Sequence, residues 1–272
     1  MKSGSWNGRS PAERFGRAAH YDERASVQAA MAVVVAQQLA MRTSDNGLRI
    51  LDLGAGTGLV TRTVAEFTRV QYARAVDASA PMLAHCSEAF LRANIPHTTV
   101  VADLDSDDLE AALGEDLFDV VAIAFVVPWL KAPERVLARA FKRVHPAGTM
   151  MVTTLGPETF APWRAIAREH GASGELPFET RSLDGWETFF ASIGACCEAR
   201  SMRVPSPGST ALACLQSLRA IGATAVRRGT PTMPPRALAA ALRDVDARGS
   251  DPGDAFAYDV QLLSVTAARL HE

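Results

Sequence analysis

Leu48-Arg49-Ile50-Leu51-Asp52-Leu53-Gly54-Ala55-Gly56-Thr57-Gly58-Leu59 decides the fold of this 272-residue chain. A short apolar run with a β-branched residue reads as a strand buried on both faces, the kind found in parallel sheets. It runs into three glycines at alternate positions and then into a helical pattern from Leu59. Glycines there allow a tight turn and a close backbone approach to a ligand, where any Cβ would intrude. Strand, glycine turn and helix together form the nucleotide crevice of a doubly wound α/β sheet. A dinucleotide fingerprint needs glycine where Leu59 stands, because the third glycine here is Gly58.

Outward from that stretch the α/β alternation continues. Strands are predicted at 72–76, 98–102, 118–125 and 149–155, separated by helices at 57–67, 81–91 and 133–144, the last stopped by Pro146 and Gly148. Ser79 is placed as a helix cap with Pro81 in the first turn, and 105–116 as a polar connection. This spacing implies right-handed βαβ crossovers and a mostly parallel sheet. Upstream, 15–40 reads as one helix. Downstream, 196–204 and 255–265 read as strands, with helices at 163–170, 183–193, 211–221 and 235–248. The reading is a single domain over 1–272. It has a cap helix at 12–42, a core at 48–155, a lid segment and sixth strand at 156–204, a helical lid insertion at 205–250 and a last strand at 255–268, for seven strands in all.

Composition narrows the classes. A hydrophobic fraction of 48% supports a full core, and a net charge of −2 gives no nucleic-acid signature. No apolar run approaches the roughly 20 residues of a membrane span, and no apolar segment follows Lys2 and Arg9 as in a secretory signal. The four cysteines have no C-x-x-C spacing, which favours buried thiols in a reducing cytoplasm over a metal site.

The pattern D-x-G-x-G-x-G over 52–58 resembles motif I of the class I S-adenosylmethionine-dependent methyltransferases. That resemblance implies S-adenosylmethionine as cofactor, with Asp52, Gly54, Ala55, Gly56 and Gly58 around its methionine part. Asp77 ends the second strand at the separation at which dinucleotide folds place a ribose-binding acid. In the family the acid ending the third strand, here Asp103, accepts the adenine amino group, with Ala78, Met82 and Leu104 flanking the ring. Asp52 fits either a structural carboxylate or an organiser of the loop. Phe125 and Trp129 fit a pocket wall or core. No amine-binding N-P-P-Y follows the fourth strand, which continues Ala124-Phe125-Val126-Val127-Pro128-Trp129. No general base stands out, since His145 and His170 read as helix C-terminal cations. An acceptor that is already ionised needs none.

Three further segments resemble the biotin-pathway malonyl-acyl-carrier-protein O-methyltransferases: Arg14 to Gln28, Thr153-Thr154-Leu155-Gly156-Pro157-Glu158-Thr159, and Leu218 to Thr224. That resemblance implies a malonyl thioester on acyl carrier protein, or on coenzyme A, as acceptor. A guanidinium would face its carboxylate and a basic surface would face the carrier. Arg203, Arg219, Arg227 and Arg228 are candidates, and Tyr21 would touch the cofactor or orient the acceptor. The alternative acceptor is a free carboxylic acid or a quinone-like ring.

Overall fold

The computed structural model describes residues 13, 21–41, 47–220, 233–249 and 251–268. The helix expected over 15–40 is described as α1 (Tyr21–Arg24) and α2 (Ser26–Ala40), separated at the fully buried Ala25. Then follow β1 (Leu48–Leu53), α3 (Leu59–Phe67), β2 (Val70–Asp77), α4 (Ala80–Arg92), β3 (His97–Val101), α5 (Leu109–Leu113) and β4 (Phe118–Ala124). A single 3-10 turn at Val127–Trp129 leads to α6 (Pro133–Phe141) and β5 (Val144–Leu155). The remainder is α7 (Ala161–Glu169), α8 (Leu183–Ser192), β6 (Ala195–Val204), α9 (Ala211–Ala220), α10 (Pro235–Ala247), α11 (Pro252–Ala255) and β7 (Tyr258–Ala267).

The seven strands form one sheet in the order β3-β2-β1-β4-β5-β7-β6. β1 pairs in parallel with β2 and β4, β2 with β3, and β4 with β5. The order therefore reverses beside β1, the switch point where such sheets bind ligands. β7 runs against both its neighbours. Thr149 of β5 donates to the carbonyl of Val265 while Gly156 N donates to that of Asp259. On the other side Ala268 N donates to Gly194 O and Ser201 bonds Asp259.

Three elements depart from the sequence reading, the first two for a local reason. The polar connection at 105–116 contains α5, because Leu109 and Leu113 are fully buried one turn apart. β5 starts at Val144, five residues before Thr149. Phe118 pairs with Val144 and Val120 with Thr149, so His145 to Gly148 bulge out of the ladder. His145 is therefore no helix terminus, and its Nδ1 accepts from Ala147 N at 3.2 Å. A short helix, α11, also takes up Pro252–Ala255, so the last strand, read from 255, starts at Tyr258. α4 buries Met82, Leu83, Cys86, Ala89 and Phe90 on one face. It ends at Asn94 (φ 53°), with Ile95 N donating to Phe90 O at 2.9 Å, the left-handed stop that Asn tolerates.

The chain divides into two compact units. One comprises Gln28–Thr154, Leu183–Arg200 and the end of the chain from Gln261; the other comprises the chain's start to Val27, Leu155–Ser182 and Ser201–Val260. The first is built on a core of Leu51, Leu53, Val121, Ile123, Val152 and their neighbours, including Trp186 and Phe190 of α8. Trp186 donates its indole N–H to the buried Gln261 at 2.9 Å. The second has a smaller core of Ile166, Ala211, Cys214, Ala241, Val245, Ala255 and Phe256.

Candidate cofactor site at the end of the first strand

β1 delivers its chain to the carboxyl edge of the sheet, and the turn beyond it is tied to β2. The amides of Gly54 and Ala55 both donate to Val76 O, at 2.7 and 3.1 Å, and Gly58 N closes the turn onto Ala55 O at 2.8 Å. All three glycines take positive φ, at 69°, 55° and 75°, a region in which a side chain is strained. Space divides them. A Cβ on Gly54 would lie 2.2 Å from Val126 Cγ2, and one on Gly58 would lie 2.5 Å from Phe90 and 2.8 Å from Cys86 Sγ. One on Gly56 would meet nothing nearer than Met82 Cε at 3.4 Å. Gly54 and Gly58 are thus required by the protein's own packing, whereas a Cβ on Gly56 would make only an ordinary contact.

Asp77 joins the turn to α4. Its Oδ2 accepts from Gly56 N at 2.9 Å and its Oδ1 from Ser79 N at 2.8 Å. A carboxylate has about four lone-pair positions, so acceptor capacity remains for a further donor. Burial pushes its pKa up, and the amides of Ser79, Gly56 and Ala78 pull against that shift. Asp52 is 2% exposed, and its Oδ2 accepts from Thr61 of α3 at 2.7 Å. Burial raises its pKa to about 6, opposed by the Thr61 hydroxyl and reinforced by Asp77. The bond to Thr61 ties the end of β1 to the first turns of α3.

Ser79 stands at the N-cap of α4, but its hydroxyl makes no capping bond. Pro81 removes one of the two amides a cap would reach, and Ser79 Oγ is left buried without a hydrogen-bond partner. Buried hydroxyls rarely stay unpaired. A glycine turn that lets the backbone come close, a carboxylate with acceptor capacity left and an unused hydroxyl fit a polyhydroxylated ligand such as a ribose. Neither Thr61 nor the Ser79 hydroxyl was identified as part of the site from sequence. The signal available for Thr61 was its place one turn into the helix that follows the glycines.

The other candidates are spread more widely. Asp103 is exposed just past β3, and its Oδ1 accepts from Asp105 N at 3.0 Å. Ala78 is exposed and Met82 lies beneath the turn. Leu104, expected against the adenine, is buried in the core with Leu109, Val127 and Leu130, because the chain turns inward there to start α5. Phe125 follows β4 with φ 57° and is half-buried, its N–H donating to Thr153 O at 2.8 Å. Trp129 is half-buried in the 3-10 turn. In the second unit, Arg203 donates to Asp254 O at 2.8 Å and pairs with its carboxylate at 3.7 Å. Tyr21 lies in α1 and Arg219 in α9, but their side chains fall outside the described residues, as do Arg227 and Arg228 entirely.

Residues 51–150 match the family described as a methyltransferase domain. Over longer spans the chain is similar to malonyl-[acyl-carrier protein] O-methyltransferases. It is 30% identical to that of Enterobacter lignolyticus over 232 residues, covering 80% of this chain and 81% of the relative. It is 29% identical to that of Bacillus cereus over 245 residues, covering 85% and 86%. It is 28% identical to the biotin biosynthesis bifunctional protein of Bordetella avium across 92% of its own length, and spans about half, 51%, of that relative. Among solved structures it resembles the YcgJ protein of Bacillus subtilis, with TM-score 0.58, 13% identity and coverage of 88% and 99%. It also resembles magnesium protoporphyrin IX methyltransferase of Synechocystis with bound SAH, with TM-score 0.56, 12% identity and coverage of 92% and 88%; at these identities both support the fold alone. With the glycine turn, the acid ending β2 and the seven-stranded order in place, these matches show that the chain belongs to the malonyl-[acyl-carrier protein] O-methyltransferase family, S-adenosylmethionine-dependent enzymes of the class I methyltransferase fold.

Proposed function

We propose that this chain methylates the free carboxylate of a malonyl thioester held on acyl carrier protein, as a cytoplasmic step of biotin synthesis. The observation that carries the reading is similarity across four-fifths of the chain to relatives named for that acceptor. When bound, S-adenosylmethionine would supply a sulfonium methyl group for transfer to the acceptor oxygen, with S-adenosylhomocysteine as the leaving group. Asp77 would accept the ribose hydroxyls and Asp103 the adenine amino group, while the Gly54–Gly58 turn would lie against the methionine part. Tyr21 would touch the cofactor or orient the acceptor.

The chemistry of the turn supports an acceptor that needs no base. A malonyl carboxylate is ionised at neutral pH, so the protein has only to hold it in line with the methyl group and keep water out. The acids at the turn are committed elsewhere: Asp52 to Thr61, and Asp77 to Gly56 and Ser79. Among the described residues no helix is long and apolar enough to cross a membrane, in keeping with a carrier-protein substrate in solution.

Transfer of labelled methyl to malonyl-carrier protein, malonyl-coenzyme A and free malonate tests the reading. The carrier-bound thioester should be the best acceptor, and transfer to free malonate alone would replace it with a small-acid methyltransferase. Arg227→Glu with Arg228→Glu should weaken use of the acidic carrier several-fold and spare malonyl-coenzyme A, if that pair forms the docking surface.

A further inference from the structure

We infer that β3 is a docking edge for a second copy of this chain, the two β3 strands pairing antiparallel about a twofold at Thr99. The inference is independent of the acceptor. Among the described residues β3 ends the sheet, with β2 on one side of it only. Ala73 N donates to Pro96 O and Ala102 N to Asp77 O. The even-numbered residues therefore turn their backbone groups to β2, and His97, Thr99 and Val101 turn theirs outward.

Such a row is a template for another strand, and proteins usually blunt it with charges, proline or a bulge. The opposite edge, β6, is guarded in that way, with Glu198, Arg200 and Arg203 exposed along it. β3 has no Lys, Arg, Asp or Glu, no proline and an unbroken register with β2. Its Thr98, Thr99 and Val101 are exposed.

The surroundings select a second copy as the occupant. A twofold at Thr99 sets His97 opposite the partner copy's Val101 and closes about six backbone hydrogen bonds. The side chains of His97, Thr99 and Val101 share one face, and α4 lies over it: Ser87 Oγ meets His97 Nε2 at 2.9 Å, and Phe90 meets its ring edge-on at 5.2 Å. Leu91 is one turn on from Ser87, on the side of the helix away from Phe90. Leu91 is 67% exposed and Val101 60%. They belong to opposite ends of β3, because α4 leads back into the strand through the turn at Asn94. Antiparallel pairing brings each Leu91 to the partner copy's Val101 and covers both. Charge follows the same rule. Exposed Arg92 precedes β3 and exposed Asp103 follows it, so each cation meets an acid, where a parallel neighbour would set like against like. Two five-residue edges and two apolar pairs fall short of the roughly 1,200–2,000 Å² of a stable interface, which puts the pairing at a Kd of about 10–100 μM.

Sedimentation velocity over about 2–500 μM tests the pairing. The wild-type mass should climb from 29.0 kDa toward twice that value. Thr99→Lys sets two ammonium groups face to face at the twofold and should hold the protein at the monomer mass throughout. Arg92→Glu should raise Kd about 3- to 10-fold, two exposed ion pairs turned repulsive. Both variants should bind S-adenosylhomocysteine as wild type does in calorimetry. Hydrogen exchange of the wild-type protein serves if Thr99→Lys fails to fold. Concentrating the protein should slow the amides of His97, Thr99 and Val101 several-fold and leave those of Thr98 and Val100 as they were. A wild-type chain that stays monomeric, or a dimer that folded Thr99→Lys leaves intact, overturns the inference. So does slowing of the three amides by malonyl-carrier protein and not by concentration, which would give the edge to the carrier.

Discussion

The chain leaves β1 and β5 by different means. Beyond β1 it uses glycine at every position of positive φ, and backbone amides donate to Val76 O and to the Asp77 carboxylate. Beyond β5 it puts phenylalanine in the same left-handed conformation, and side-chain bonds of Asp259 and Thr159 join backbone bonds from Gly156 and Phe160. The first exit rests on a bare backbone, the second on particular side chains. Glycine substitution breaks that contrast most severely. Gly54→Ala sets a methyl 2.2 Å from Val126 at a φ of 69° and should cost about 3–5 kcal/mol, overpacking added to left-handed strain. Gly56→Ala has room and should cost about 1–2 kcal/mol in stability. Urea unfolding with and without S-adenosylhomocysteine checks the pair: Gly54→Ala should lose stability in both conditions, and Gly56→Ala should chiefly lose the ligand's stabilisation.

Asp77→Ala comes next. It removes the acceptor for Gly56 N and Ser79 N together with the lone pairs proposed for the ribose. Cofactor affinity should fall by about 2–4 kcal/mol, one to two bonds to a charged group. Calorimetry showing unchanged affinity would remove Asp77 from the site.

Asp52 sharpens the comparison through pH. In the folded protein its pKa is raised to about 6, chiefly by burial, whereas in the unfolded chain it is near 3.8. Between those values the folded state holds more protons, so its stability falls as pH rises through the window and stays lower above it. The effect is on the order of 2–3 kcal/mol. Asp52→Asn keeps an acceptor for Thr61 and removes the titration. The variant should therefore be more stable than wild type at pH 7 and about equal near pH 4. Parallel stability profiles for the two proteins would show that Asp52 does not titrate in this way.

What the sequence made legible follows the same division. The succession of strands and helices and the glycine turn could be read because glycine spacing, strand-end acids and apolar periodicity are local signals. The bulge at His145 to Gly148 was hidden, since Pro146 and Gly148 read equally as a helix stop and as a break in a strand. The packing of Val126 and Phe90 against Gly54 and Gly58 was hidden, because those side chains reach the turn only in three dimensions.

The smallest expected effects set the two left-handed phenylalanines against each other. Replacing either with glycine removes about 1–2 kcal/mol of backbone strain, offset in part by the freer unfolded chain. Phe160 also loses its ring contacts to Tyr258 at 4.9 Å and Phe256 at 6.4 Å, worth about 0.5–1.5 kcal/mol each beyond burial. Phe160→Gly should therefore be destabilised overall by about 1 kcal/mol or more. At Phe125 the bond to Thr153 O is a backbone bond that glycine keeps, and the ring is only half-buried. Phe125→Gly should accordingly stay within about 1 kcal/mol of wild type. Methyl transfer should nonetheless drop if that ring lines the site, because a residue held in a strained conformation without a stability return is held for function. Urea midpoints and turnover on malonyl-coenzyme A, measured on both variants, test the ordering. It fails if Phe160→Gly is the more stable of the two, or if Phe125→Gly turns over at the wild-type rate.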